Sequence, residues 1–170
     1  MRCSRRSVIG GVLALTIAPA GAAAQSIVDP FALRLLRLLR LRQGRFTPAQ
    51  VSADTQRIAL YFGASWCGPC RAFVPALVAA YPRLQRQQTE IIFVSDDSEC
   101  RAQRDYVLRS RMPWLVIDCA DPARRQLRTL GGAALPGLII VDCAGATLIN
   151  SWRGGRSYPA DALAQLLRLG

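Results

Sequence analysis

Apolar residues in this chain fall into two kinds of pattern. Arg57–Gly63, Glu90–Ser95, Trp114–Ile117 and Leu138–Asp142 are short runs with little polar interruption, rich in β-branched and aromatic residues. Such runs predict strands buried on both faces, except that Trp114–Ile117 reads as a short strand or an extended segment. Between them the apolar positions recur at helical spacing. Residues 71–86 place Phe73, Val74, Leu77, Val78, Tyr81 and Leu84 on one side, and Pro75 predicts a kink. Residues 99–110 predict a polar helix, 122–130 a helix ended by Gly131-Gly132, and 159–169 a terminal helix. Ala144-Gly145 predicts a turn, with Thr147–Trp152 returning as a hairpin strand. The order predicts an α/β fold in which helices flank a central mixed sheet, with parallel central strands and an antiparallel edge.

The N-terminal part reads differently. Arg2, Arg5 and Arg6 precede an apolar run from Val8 to Ala18, and Ala22-Ala23-Ala24-Gln25 offers a small-residue cleavage site. Basic, apolar and small-residue regions in that order predict a secretory signal peptide over residues 1–24. Ser4-Arg5-Arg6 followed by Val8-Ile9 resembles a bacterial twin-arginine signal. This reading places the protein in the periplasm; the alternative is an inner-membrane anchor formed by an uncleaved signal. Residues 25–44 predict an N-terminal helical segment. Leucines cover most of 31–42, Arg34, Arg37 and Arg40 form a basic stripe, and Gln43-Gly44 ends it. Packing on the domain with the arginines in solvent is one expectation for 31–42, and peripheral membrane contact the other. The remaining residues, 45–170, form one domain.

Composition narrows the chemistry. The 170 residues contain no His, and all 22 basic residues are Arg against 11 acidic ones, a formal charge of +11. A His general base and a His-liganded metal are excluded. No cofactor or metal is expected, and no nucleic-acid motif accompanies the charge, so no nucleic acid is expected as a partner.

The candidate site is Trp66-Cys67-Gly68-Pro69-Cys70, between a predicted buried strand and a helix. A Cys at a helix N-terminus meets unpaired backbone N–H groups and the positive end of the helix dipole. Its thiolate is therefore stabilised. Cys67 then attacks a disulfide, and Cys70, one turn along, resolves the mixed disulfide. Pro69 suits the first helical turn, where an N–H would be unpaired. Zinc would have to recruit Cys100, Cys119 or Cys143, which show no second C-x-x-C spacing. A Cys119–Cys143 bridge is one pairing open to these three, and buried inert thiols another.

The run Tyr61-Phe62-Gly63-Ala64-Ser65-Trp66-Cys67-Gly68-Pro69-Cys70-Arg71 resembles the active site of the thioredoxin superfamily, with the tryparedoxin and nucleoredoxin branch most similar. Phe93–Asp97, Met112–Leu115 and Ala134–Leu138 resemble further segments, so the likeness spans roughly residues 35–155. It implies a thioredoxin-like fold, a cis-proline at Pro136 facing the Cys pair, and a substrate-docking surface that includes Trp66, Gly68, Pro69, Pro136 and Trp114. Two positions depart from the superfamily pattern. Tyr61 stands where many thioredoxins bury an Asp, and Gly137 stands where Thr is frequent, which predicts a wider or looser docking loop. The expected function is thiol–disulfide oxidoreduction in the reducing direction. The expected partners are client proteins with disulfides and a transmembrane electron donor. An oxidase or isomerase would use the same residues, and a non-catalytic binding or chaperone module would keep the Cys pair as a staple.

Overall fold

The computed structural model describes Leu33 and residues 35–169. The signal-peptide expectation for residues 1–24 lies outside the described residues, as do residues 25–32 and 34 of the expected N-terminal helix. Nine strands and four helices are described: β1 (Leu38–Arg42), β2 (Arg45–Ala49), β3 (Arg57–Gly63), α1 (Gly68–Arg86), β4 (Thr89–Ser95), α2 (Cys100–Arg109), β5 (Leu115–Ile117), α3 (Ala123–Arg128), β6 (Gly137–Asp142), β7 (Thr147–Asn150), β8 (Trp152–Arg153), β9 (Arg156–Ser157) and α4 (Pro159–Leu166).

Seven strands form one sheet in the order β2-β1-β5-β4-β3-β6-β7, and β8 and β9 form a small separate hairpin. The central strands β3, β4 and β5 are parallel, whereas β6 runs antiparallel to β3 and β1 antiparallel to β5. Side chains alternate across the sheet, as the two-residue period of a strand requires. Ala59, Tyr61, Ile91, Phe93, Leu138 and Ile140 share one core with Val74, Leu77, Tyr81 and Leu84 of α1 and Leu163 and Leu166 of α4. Ile58, Leu60, Phe62, Ile92, Val94, Ile139 and Val141 share the other with Leu33 and Leu38, and Leu127 of α3 packs against it. Both faces are covered, so the uninterrupted apolar runs are the pattern to expect. Helix α1 runs unbroken through Pro75 and Pro82, both on its exposed side.

The expected helix over 31–42, and with it the boundary at residue 44, is overturned at its C-terminal end. Leu38–Arg42 is a sheet strand, joined to β2 by a two-residue turn at Gln43-Gly44. Both turn residues have positive φ, 49° and 76°, the conformation whose twist suits a tight hairpin. The leucines that suggested a helix serve a strand equally well, because Leu38 joins one core and Leu41 packs on the other. Arg40 is therefore not part of a solvated or membrane-facing helical stripe. Its guanidinium lies 2.5 Å from Glu90 and 3.1 Å from the Tyr81 hydroxyl, and Tyr81 donates to Glu90 at 2.7 Å. Burial, the largest single influence, would lower the Arg40 pKa, but Glu90 and Tyr81 together outweigh it and the net shift is upward.

This cluster ties β1 to the α1 and β4 layers, so breaking it leaves a largely buried charge alone. Arg40→Ala is expected to destabilise the fold by about 3 kcal/mol. Denaturant unfolding of the variant checks this, with Arg45→Ala on the exposed hairpin as the near-neutral control.

Candidate active site

Strand β3 stops at Gly63, and after four intervening residues the chain enters α1 at Gly68. Cys67 is the N-cap of that helix: its backbone is extended (φ −80°, ψ 108°) and its Sγ accepts from the Cys70 N–H at 3.1 Å. Gly68 and Pro69 occupy the first helical positions, and the helix has no acidic residue in its first turn to compete for the dipole. Cys67 and Cys70 are disulfide-bonded, with Cα atoms 5.2 Å apart. Cys70 is buried, while Cys67 keeps 5% exposure. Beside them Trp66 projects into solvent at 63% exposure, and Gly68 and Pro69 are also exposed. The attacking sulfur thus has a way out, and the resolving sulfur sits behind it.

A polar network holds the loop that presents Cys67. The buried Asp97 carboxylate accepts from the Ser65 N–H at 3.0 Å, the Ser65 hydroxyl at 2.7 Å and the Ser95 hydroxyl at 2.8 Å. Arg71 donates to the Ser65 carbonyl at 2.9 Å, and Arg124 donates to the Asp97 and Ser95 carbonyls at 2.7 and 3.2 Å. Tyr61, at the position where an Asp is frequent, is buried with its hydroxyl 3.3 Å from that of Tyr106. Burial, reinforced by Tyr106, holds the Tyr61 phenol far above its ordinary pKa. Tyr106 is raised too, first by burial and further by Asp97. Tyr61 is therefore a neutral group with no charge to lend Cys70.

The Leu135–Pro136 peptide bond is cis, as expected. Because β6 runs antiparallel to β3, its first residue, Gly137, pairs with Phe62 near the end of β3. Pro136 consequently lies at the same sheet edge as the Cys pair. Gly137 does not loosen this loop, contrary to the expectation. The Trp152 indole occupies the space a side chain would take. A Cβ at Gly137 or Gly132 would fall within its ring, and one at Gly131 would lie 3.0 Å from it. Trp152 also donates from Nε1 to the Ala134 carbonyl at 2.7 Å and packs edge-on against Phe62. Ser157 donates to the Pro136 carbonyl at 2.5 Å, and Ser151 accepts from the Leu138 N–H at 2.9 Å. The β8–β9 hairpin thereby grips the loop at several points.

Trp114 is not part of the active-site surface. It is fully buried, its ring edge-on to Tyr61 and Tyr81 at 6.2 and 5.8 Å. A Trp adjoining a strand that is covered on both faces has no route to solvent. The Cys119–Cys143 pairing is also overturned, since Cys119 is bonded to Cys100 at the start of α2, with Cα atoms 5.4 Å apart. Sequence reasoning missed Asp97 as the holder of the loop, and it missed Trp152. The only signal for Trp152 was an aromatic residue in a chain whose cis-proline loop has glycine at three positions.

A thioredoxin-like family model matches residues 55–147, more than half of the chain and including the Cys pair. The chain belongs to the thioredoxin-like family. Among curated relatives it is 40% identical over 123 residues to a probable nucleoredoxin 1 of Arabidopsis thaliana, covering 66% of this chain and 20% of that protein. It is 34% identical over 117 residues to nucleoredoxin of Danio rerio, covering 66% and 28%. The chain thus spans less than a third of the length of these two relatives. Among solved structures, thioredoxin from Wuchereria bancrofti aligns with a TM-score of 0.64 at 28% identity, over 81% of this chain and 98% of that one. Tryparedoxin I from Crithidia fasciculata aligns with a TM-score of 0.61 at 27% identity, over 82% and 92%. The thioredoxin-like fold and the nucleoredoxin–tryparedoxin likeness are therefore as expected, and the Cys67/Cys70 pair is placed as in a thiol–disulfide oxidoreductase.

The packing of Trp152 on Gly137 predicts strong coupling between the two. Gly137→Thr is expected to cost about 2 kcal/mol by overpacking. In the Gly137→Thr/Trp152→Ala double variant the loss of stability should fall short of the sum of the two single losses by at least about 1 kcal/mol. A double-mutant cycle from denaturant unfolding measures it.

Proposed function

We propose that this protein is an exported thiol–disulfide oxidoreductase that reduces disulfides of periplasmic client proteins. Its own pair is returned to the dithiol by electrons from a transmembrane donor. The observation that carries the reading is the Cys67–Cys70 pair at the N-terminus of α1, with Trp66 exposed beside it and the cis-proline loop at the same sheet edge.

In the reduced enzyme the dipole and open N–H groups of α1 favour the Cys67 thiolate. That thiolate attacks one sulfur of a client disulfide. A bond forms between Cys67 Sγ and that sulfur, the client S–S bond breaks, and the departing client sulfur takes up a proton. Cys70, having lost its own proton, then attacks Cys67 Sγ and expels the second client sulfur, which is protonated in turn. The client gains two electrons and two protons, and the enzyme is left with the Cys67–Cys70 disulfide. Trp66 offers an apolar face beside the reacting sulfur, and the Pro136 loop offers main chain to a docked client strand.

Two features support export. One is the basic, apolar and small-residue order of residues 1–24. The other is the Cys100–Cys119 bond, a second disulfide away from the Cys67/Cys70 pair, which suits an oxidising compartment. The Gly-Pro dipeptide between the cysteines is shared with thioredoxin and favours the reducing direction.

The deciding measurement is the equilibrium potential of the Cys67/Cys70 pair against glutathione, with Cys100, Cys119 and Cys143 replaced by Ser. A value near −270 mV, roughly that of thioredoxin, is expected. A value near about −120 mV would reverse the proposed direction and mark a disulfide-forming enzyme. Cys70→Ser should accumulate a mixed disulfide with a reducible protein substrate, while Cys67→Ser should form none.

A further inference from the structure

The charge around the docking edge is sorted rather than uniform. Residues 122–160, which carry α3, the cis-proline loop, β6, β7 and the β8–β9 hairpin, contain five arginines and one acid, Asp142. Asp142 pairs in register with Arg57 at the start of β3, the end of the sheet opposite the Cys pair. On the hairpin side the exposed acid is Asp161, which is paired with Arg153, and further acids lie to the other side, over β5. Asp118, half-buried, follows that strand, and the exposed Glu99 precedes Cys100, which is bonded to Cys119 just beyond it.

The arginines of this region bracket the loop that holds Pro136. On one side α3 leads directly into it, and Arg128 donates to the Gly132 carbonyl at 3.2 Å while pairing with Asp96 at 3.0 Å. Arg125, on the same helix, is exposed. On the other side the β8–β9 hairpin is anchored to the loop through Trp152 and Ser157. Its tip, Arg153-Gly154-Gly155-Arg156, is wholly exposed, with both glycines at positive φ to make the tight turn. Arg153 is occupied by Asp161 at 3.1 Å and by the Tyr158 ring. Arg71, exposed in the first turn of α1, follows Cys70 in the chain and donates to the Ser65 carbonyl at 2.9 Å. Among the described residues, Arg71, Arg125 and Arg156 have no carboxylate within ion-pair distance.

We infer that Arg71, Arg125 and Arg156 form a basic collar around the docking edge, and that it selects client segments with acidic residues flanking their disulfide. The inference rests on the proposed thiol–disulfide activity and names its substrate class. Exposed guanidinium groups have little net affinity for single carboxylates, but a one-signed rim raises the encounter rate of an oppositely charged partner and disfavours a like-charged one. The geometry fits an extended polypeptide laid across the Pro136 loop, with one arginine group on each side of it and Arg71 in the first turn of the helix that Cys67 caps.

The test uses the full chain and two synthetic peptides with the same intramolecular disulfide, one flanked by Glu and one by Lys. Hydroxyethyl disulfide, which is uncharged, serves as the reference substrate. At low salt kcat/KM for the Glu peptide should exceed that for the Lys peptide by on the order of tenfold, and the ratio should fall towards one at about 1 M salt, where the screening length is about 3 Å. Arg125→Glu/Arg156→Glu should invert the preference. Reduction of hydroxyethyl disulfide with equal rates for the two peptides would overturn the collar and leave the proposed activity standing. Failure to reduce any of the three would instead remove the activity on which the collar depends. Equal peptide rates together with binding to phosphatidylglycerol vesicles would assign the charge to a membrane surface and likewise overturn the inference.

Discussion

Strand β3 lies between β4 and β6 with apolar side chains on both faces. Tyr61 and Phe62, adjacent in sequence, belong to opposite cores. A slip of one residue would exchange those two sets of side chains, so the register with both neighbours is held tightly. Where β3 ends is then fixed as well, and Gly63 is followed at once by the loop that carries Cys67. The attacking sulfur owes its position to a strand that cannot slide, and its chemistry to the helix that begins beside it. Asp97, at the matching end of β4, receives the N–H and hydroxyl of Ser65 and so holds the loop against the next strand.

The same edge receives β6 from the opposite direction, which brings the Pro136 loop to the Cys pair. Here the constraint is one of volume. Trp152 lies across three glycines and takes the space next to Pro136 that a side chain at residue 137 would otherwise fill. The loop is shaped by a residue 15 positions later in the chain rather than by its own side chains, and small residues within it are the condition for that contact. Because the hairpin carrying Trp152 also carries Arg153 and Arg156, the element that shapes the docking loop sets the charge beside it.

Much of this was legible in the chain. The strands β3, β4 and β6 were readable because a sheet covered on both faces demands apolar runs, and few other structures do. Helices α1 and α2 were readable from their period. The Cys pair was readable because its chemistry needs a short spacing at a helix start. Strand β1 was not, since Leu-Leu-Arg-Leu-Arg satisfies a helix and a strand alike. Only its pairing with β2 and β5, and the positive φ of Gln43 and Gly44, separate the two.

By itself the sequence determined the α/β class, the Cys67/Cys70 chemistry and the basic, His-free character of the protein, because each depends on residue types and short spacings. Tertiary structure decided what depends on meeting distant residues. It buried Trp114 against Tyr61 and Tyr81, joined Cys119 to Cys100, turned Arg40 inward to Glu90 and laid Trp152 over Gly137. The partners in these contacts lie 15 to 53 positions apart, or two strands or a helix away, and the local pattern at either end is compatible with several partners. Packing volume and the need to pair buried charge select one of them.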